Sequence, residues 1–254
     1  MKLTKRNKKE LKKIAVVLAL IGAVFLWAAR NIGLPIKTNV KQGRIQVIDV
    51  SSYNGKVNWK KVKDQKINHA MLKIGSGIRQ PKRKGKEDPL FAANYRNASY
   101  AAIHTGVYYY SYAATKEEAG KEAEHCLSLL KKHGIQPDDL DLPVAFDIEE
   151  RDVLNTGKEN VSEITAAFCD KIKKAGYTPM VYSSASALKN HFIYDKIKNY
   201  EIWVAHYTDA SSPAIPFEYR MWQYTSSASV EGANTKSGRC DVNYYLMKER
   251  NKGI

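Results

Sequence analysis

The sequence predicts an α/β protein: one irregular (β/α) barrel of the TIM-like kind, with its late helices replaced by loops, preceded by a single N-terminal transmembrane helix. Three observations lead there. Short β-branched and aromatic runs alternate with helical patterns over about 210 residues, as a parallel sheet with crossover helices requires. The last third keeps such runs but leaves no room between them for packed helices. A basic tract followed by an uncharged apolar run opens the chain.

Within residues 1–13, Lys2, Lys5, Arg6, Lys8, Lys9, Lys12 and Lys13 stand against Glu10, a net +6. Residues 14–29 are apolar and uncharged, and after Arg30 the chain stays apolar at Ile32 and Leu34. Nothing polar interrupts the run to define a solvent face, so it reads as an export segment rather than a buried helix. A cleavage site needs small residues, and Trp27 and Leu26 stand where they are needed, so an uncleaved signal-anchor over 14–34 is expected. The positive-inside bias then places 1–13 as a cytoplasmic tail, 35–44 as a linker and 45–254 as an extracellular barrel domain. This is a single-pass arrangement in the cell membrane of a Gram-positive-type bacterium, or a secreted protein if the segment is removed.

Strand-like runs follow at 45–50, 70–74, 106–112, 142–148, 178–183, 202–206 and 220–224, with a last short one around 239–243. Asp88-Pro89 reads as an N-cap with proline in the first helical position, and Thr115-x-x-Glu118 as a capping box. Gly106, Gly134 and Gly176 read as helix-ending glycines. Between Tyr207 and Tyr219, and between Tyr224 and Arg239, the chain offers Ser, Pro, Gly, Ala and Asn, which is loop composition. The three cysteines, Cys126, Cys169 and Cys240, have no metal-type spacing, and an odd number cannot complete a disulfide framework. Three buried thiols are expected.

The chemistry-bearing signal is Asp147 and Glu149, which end the apolar run Leu142-Pro-Val-Ala-Phe-Asp-Ile-Glu149. Residues i and i+2 of a strand share a face, so both carboxyls project together while Phe146 and Ile148 pack on the other side. Strand C-terminal ends are where parallel barrels build active sites. Taken alone, the pair could equally run out into a solvated loop with Glu150, Arg151 and Asp152. Asp49 ends the first strand in the same way, however, and Asp241 lies at the last. Three strand-end acids on one barrel mouth suit glycoside hydrolysis. Tyr108, Tyr110, Tyr182, Trp203, Tyr207, Trp222 and Tyr224 gather at the same ends and could stack on sugar faces, with Gln223 or His206 bonding hydroxyls.

Ile48-Asp-Val-Ser-Ser-Tyr-Asn-Gly-Lys-Val-Asn-Trp59, Phe146-Asp-Ile-Glu149, Trp203-Val-Ala-His-Tyr207, Trp222-Gln-Tyr-Thr225 and Cys240-Asp-Val-Asn243 resemble, in order, the signature of the family 25 glycoside hydrolases. These are the muramidases, or N-acetylmuramoylhydrolases, and the resemblance covers about residues 45–247. It implies lysozyme activity: cleavage of the β-1,4 bond from N-acetylmuramic acid to N-acetylglucosamine in peptidoglycan glycan strands. It further implies Glu149 as general acid and then base, Asp147 orienting the acetamido group or stabilising developing positive charge, and Asp49 and Asp241 lining the same subsite. Tyr53, Tyr108, Tyr110, Tyr182, Trp203, Tyr207, Trp222 and Gln223 become substrate-binding candidates. The Tyr109–Tyr110 region departs from the His or Phe common in the family. Retention or inversion is left open by the sequence, though the resemblance leans towards retention with acetamide participation.

Other classes fare worse. The six histidines are dispersed with no H-x-x-x-H pair, so no metal is expected. Ser183 and Ser184 lack a G-x-S-x-G elbow, and Gly75-x-Gly77 lacks a nucleotide loop's third glycine. No cofactor is called for. The alternative is a non-catalytic, membrane-tethered wall-polysaccharide-binding protein, which has no chemical need for all four acids. With 41 Lys+Arg against 26 Asp+Glu the net charge is +15. Arg79, Lys82, Arg83, Lys84 and Lys86 supply +5 of it in a loop over 79–86, a mobile crossover or a contact for anionic wall polymer. With the tail's +6 removed as well, the body retains only +4, too little for a nucleic-acid partner.

Overall fold

A computed structural model describes residues 34–35, 43–77 and 84–247. The basic tail, the apolar run and most of the linker lie outside the described residues, as do residues 78–83 of the basic loop. Among the described residues no helix is long and apolar enough to cross a membrane.

All eight expected strands are present: β1 (Arg44–Val50), β2 (His69–Ser76), β3 (His104–Tyr110), β4 (Val144–Asp147), β5 (Pro179–Ser184), β6 (Glu201–Ala205), β7 (Met221–Ser229) and β8 (Cys240–Leu246). Neighbours from β1 through β7 pair in parallel. The last strand departs from the parallel expectation, because β8 runs antiparallel to both β7 and β1 and closes the eight-stranded barrel between them. A short loop rather than a crossover helix joins β7 to β8, and a return that short can only reverse the chain. Two-residue strands at Leu34–Pro35 and Lys86–Glu87 add to β7 and β2 from outside.

Seven helices follow: α1 (Trp59–Asp64), α2 (Phe91–Tyr100), α3 (Lys116–Lys132), α4 (Arg151–Leu154), α5 (Lys158–Lys174), α6 (Ala185–Asn190) and α7 (Tyr194–Ile197). Residues 207–219 form no helix or strand, as expected, and are held by the Ala214 N–H donating to His206 Nδ1 at 3.1 Å. The next expected loop is partly strand, since residues 225–229 extend β7 and pair with β8 across register shifts.

Alternation along the strands sorts the side chains. Outward residues such as Ile74, Tyr109 and Phe146 pack on α3 and α5, where Phe146 stacks on Phe168 with centroids 4.3 Å apart. Inward residues make a separate small core of Val47, Met71, Ala145, Met180, Trp203 and Met221. One residue pair further along each strand, the inward positions change to Asp49, Lys73, Asp147, Gln223 and their neighbours. The barrel is therefore plugged with hydrocarbon at its N-terminal end and ionic at its mouth. The three cysteines are buried free thiols, as expected.

Two local expectations fail. Helix α2 starts at Phe91, with Leu90 in the N-cap position, so Asp88 and Pro89 form the turn before it. The Asp88 carboxylate accepts from the Leu90 N–H at 2.9 Å and the Ser52 N–H at 3.0 Å, which ties this turn to the first strand's exit loop instead of capping the helix. Gly106 does not end a helix either. Ala102, with φ 51°, takes the left-handed position after α2, and Gly106 lies inside β3, where a Cβ would sit 2.6 Å from Leu142 Cβ and 2.7 Å from the Pro143 carbonyl oxygen. Gly134 and Gly176 end α3 and α5 with positive φ, as expected. Gly106→Val is expected to cost about 1–3 kcal/mol or more, because backbone cannot make way as a side chain can; thermal or urea denaturation against wild type measures it.

Candidate active site

The barrel mouth is a pocket of about 330 Å³ lined by Asp49, Asp147, Glu149 and Asp241 together with Tyr53, Tyr108, Tyr110, Tyr182 and Trp203. The strand register brings the acids together. Asp241 faces Asp49 across β8 and β1, while Asp147 lies between Tyr110 of β3 and Tyr182 of β5. Glu149 is two residues past Asp147 on the same side and opens to solvent, whereas Asp147 is buried.

A chain of hydrogen bonds fixes which carboxyl holds a proton. Indole N–H can only donate, so Trp203 Nε1, 2.7 Å from Asn243 Oδ1, makes that oxygen the acceptor. Asn243 Nδ2 must then donate, to the Val47 carbonyl at 3.0 Å and to Asp49 Oδ2 at 2.8 Å. Gln223 repeats the pattern: its Oε1 accepts from the Tyr182 and Tyr207 hydroxyls at 3.0 and 2.7 Å, and its Nε2 donates to the same Asp49 oxygen at 3.0 Å. Asp49 is thus the acceptor of a buried network, the ionised member of its pair with Asp241. Burial raises the Asp49 carboxyl, and the Asn243 and Gln223 bonds offset part of that rise. Asp241 is pushed up to about 8 by burial, by the Asp49 charge and by its hydrogen bond to Asp49.

Asp147 rises furthest above the usual carboxylate range, through burial first and then the Glu149 charge, with Lys73 opposing. Its Oδ1 is buried without a hydrogen-bond partner among the described residues. Glu149 is raised by burial and by Glu150, and drawn back by Lys73 and Tyr110. The Tyr110 hydroxyl donates to Glu150 at 2.7 Å, which stations this acid beside Glu149. Such a cluster can give a proton at neutral pH from one carboxyl and hold negative charge on another.

Not every expected sugar contact faces the pocket. Trp222 packs in the outer core against Tyr224 and Tyr244, its indole bonded to the His206 carbonyl at 2.8 Å, because its position in β7 points outward. Tyr224 stacks on Tyr244 at 4.3 Å and joins that same packing. Gln223 borders the pocket but is buried with its amide committed to the network, and His206 serves its loop. Tyr207 keeps its ring 55% exposed while its hydroxyl is tied to Gln223. Lys73 was not singled out from the sequence. Its Nζ lies 4.6 Å from the Tyr110 ring centroid and 5.9 Å from that of Tyr108, on the pocket wall facing Asp147 and Glu149. A lone cation in the inward phase of an otherwise apolar strand was the available signal. Asn243, a motif residue given no role, turns out to orient Asp49.

The comparisons agree with this geometry. The model of the family described as "Glycosyl hydrolases family 25" matches residues 48–233. Lysozyme M1 of Streptomyces globisporus is 27% identical over 239 residues, covering 85% of this chain and 71% of that one. The uncharacterized protein YegX of Escherichia coli K12 is 26% identical over 206 residues, 79% of this chain and 69% of that one. The modular autolysin LytC of Streptococcus pneumoniae superposes with a TM-score of 0.69 at 30% identity over 82% of this chain. It has also been solved with a synthetic peptidoglycan ligand. This chain spans about half the length of LytC, 48%.

Raised carboxyl pKa values make a stability statement. The folded state holds the Asp241 proton up to about 8 while the unfolded chain releases it near 3.8, so between these values the folded state binds more protons and stability falls as pH rises. Asp241→Asn removes that titration. Its melting temperature is expected to decline less steeply than wild type's from about pH 4 to about pH 8; parallel slopes would contradict the assignment.

Proposed function

Because the chain belongs to glycosyl hydrolase family 25, we propose that it is a lysozyme that cuts the β-1,4 bond between N-acetylmuramic acid and N-acetylglucosamine in peptidoglycan. The observation that carries the reading is the buried, unpartnered Asp147 oxygen beside the more open Glu149. The likeness to Lysozyme M1 and to LytC supports the substrate class.

In this reading Glu149 protonates the glycosidic oxygen as the bond from the anomeric carbon breaks. Asp147 accepts the N–H of the muramyl acetamide, whose carbonyl oxygen attacks the anomeric carbon. A water molecule then opens that ring, giving its proton to Glu149, and the configuration is retained. Burial and the Glu150 charge keep Glu149 protonated above the ordinary glutamate range, as a general acid needs. Asp49, held ionised by Asn243 and Gln223, and Asp241 line the mouth and position the sugar. Tyr53, Tyr108, Tyr110, Tyr182, Trp203 and Tyr207 shape the groove, and Lys73 steadies the acidic pair. Residues 1–13 remain in the cytoplasm, 14–34 anchor the protein, 35–44 link, and 45–254 work outside the membrane on the wall. The 79–86 loop touches anionic wall polymer.

Digestion of purified peptidoglycan by the full chain, then borohydride reduction, identifies the bond: reduced muramic acid is expected, and reduced glucosamine overturns the assignment. Glu149→Gln is expected to lower hydrolysis by about a hundredfold to ten-thousandfold while retaining binding to the wall polymer; undiminished turnover would remove Glu149 from the chemistry.

A further inference from the structure

A second cleft, of about 630 Å³, opens between α1 and α2. Three features set it apart from ordinary surface. Tyr100, the last residue of α2, presents a ring that is 82% exposed, an open platform of the kind sugar faces stack on. Trp59 forms part of the wall, only 3% exposed, and its indole N–H is buried with no acceptor among the described residues. Buried donors are almost always satisfied, so an unpaired one at a cleft wall marks a place for an acceptor from outside. The charge is one-sided: Lys56, Lys60 and Lys63 line the cleft against the single acid Asp64, which Lys60 meets at 3.1 Å. Lys56 makes no ion pair among the described residues.

The cleft is joined to the catalytic pocket by one short, firmly held turn. Ser51, Tyr53 and Asn54 line the pocket, and the lining of the cleft begins at Lys56. Asn54 Nδ2 donates to the Ala233 carbonyl at 2.7 Å and the Asn58 N–H to that of Gly232 at 2.8 Å, so both sides of the turn are pinned to the β7–β8 loop. At Gly232 a Cβ would come within 2.7 Å of the Asn58 carbonyl oxygen, which leaves only glycine room there.

We propose that this cleft is an outer binding site for the polymeric substrate, holding a stretch of peptidoglycan by a sugar face on Tyr100 and by peptide-stem carboxylates on Lys56 and Lys60. The inference rests on the peptidoglycan reading of the mouth. Continuity with the pocket favours the substrate strand over a separate polymer, because one strand can occupy both places. Exposed lysines contribute little singly, but two linked sites multiply their effect by raising the effective concentration at the mouth.

The test combines Lys56→Glu, Lys60→Glu and Tyr100→Ala, all exposed and outside the mouth. In the hydrolysis-impaired Glu149→Gln full chain, binding to purified peptidoglycan sacculi freed of attached phosphate polymers is expected to weaken about tenfold. In the active chain, the ratio of kcat/KM on sacculi to that on a short soluble glycan fragment is expected to fall by a similar factor. Unchanged binding and an unchanged ratio would overturn the proposal, as would a loss seen only with sacculi that still carry phosphate polymer. If the wild type cleaves neither substrate, the mouth's assigned function fails, while the binding measurement still decides the cleft.

Discussion

Several carboxyl groups confined to one end of a closed barrel repel one another and resist leaving water, and much of the mouth is arranged to make that confinement bearable. Asp49 receives two amide donors whose orientation is dictated by an indole and two phenols. Asp241 shares its proton, and Lys73 offsets the charge near Asp147 and Glu149. Each device removes negative charge or fixes it in place, and what is left over is a proton available at neutral pH beside an unsatisfied oxygen. Reactivity and electrostatic cost are two aspects of one cluster.

The fold supplies the geometry that keeps this cluster local. Strand alternation places hydrocarbon inside the barrel at one end and polar groups at the other, so the acids rest on the Met71–Met180–Trp203–Met221 layer rather than on water. Reversal of β8 has a direct consequence: an antiparallel partner sets Asp241 opposite Asp49, and the two can share a proton across the closure. The buried Glu122 works similarly from outside. Its carboxyl takes the Ser111 hydroxyl at 2.6 Å and the Tyr112 N–H at 2.9 Å, and the Ser111 N–H in turn meets the Asp147 carbonyl at 2.8 Å, so an α3 carboxyl braces the end of β4.

All eight strands could be read from the sequence, since a period-two pattern of β-branched residues survives in any sheet. So could the acids, because an apolar strand ending in same-face carboxyls has no packing explanation. What was not legible depended on facts outside each local window. The direction of β8 follows from loop length and closure, Gly106 from the approach of Leu142 and Pro143, and the outward turn of Trp222 from the phase of β7. Gln223 reads as a free amide until the Tyr182 and Tyr207 hydroxyls are seen to occupy it. Lys73 was overlooked because a cation in a strand reads as edge or solvent until the barrel closes around it.

The account stands on unequal protonation of the four mouth carboxyls at neutral pH. A carboxyl-carbon NMR titration of the full chain measures it directly. Asp147 and Asp241 should report protonated carboxyls at pH 7, with Asp241 titrating near 8, and Asp241→Asn should remove the upper titration. Four ordinary carboxylates, all ionised by about pH 5 as in a solvated loop, would contradict it.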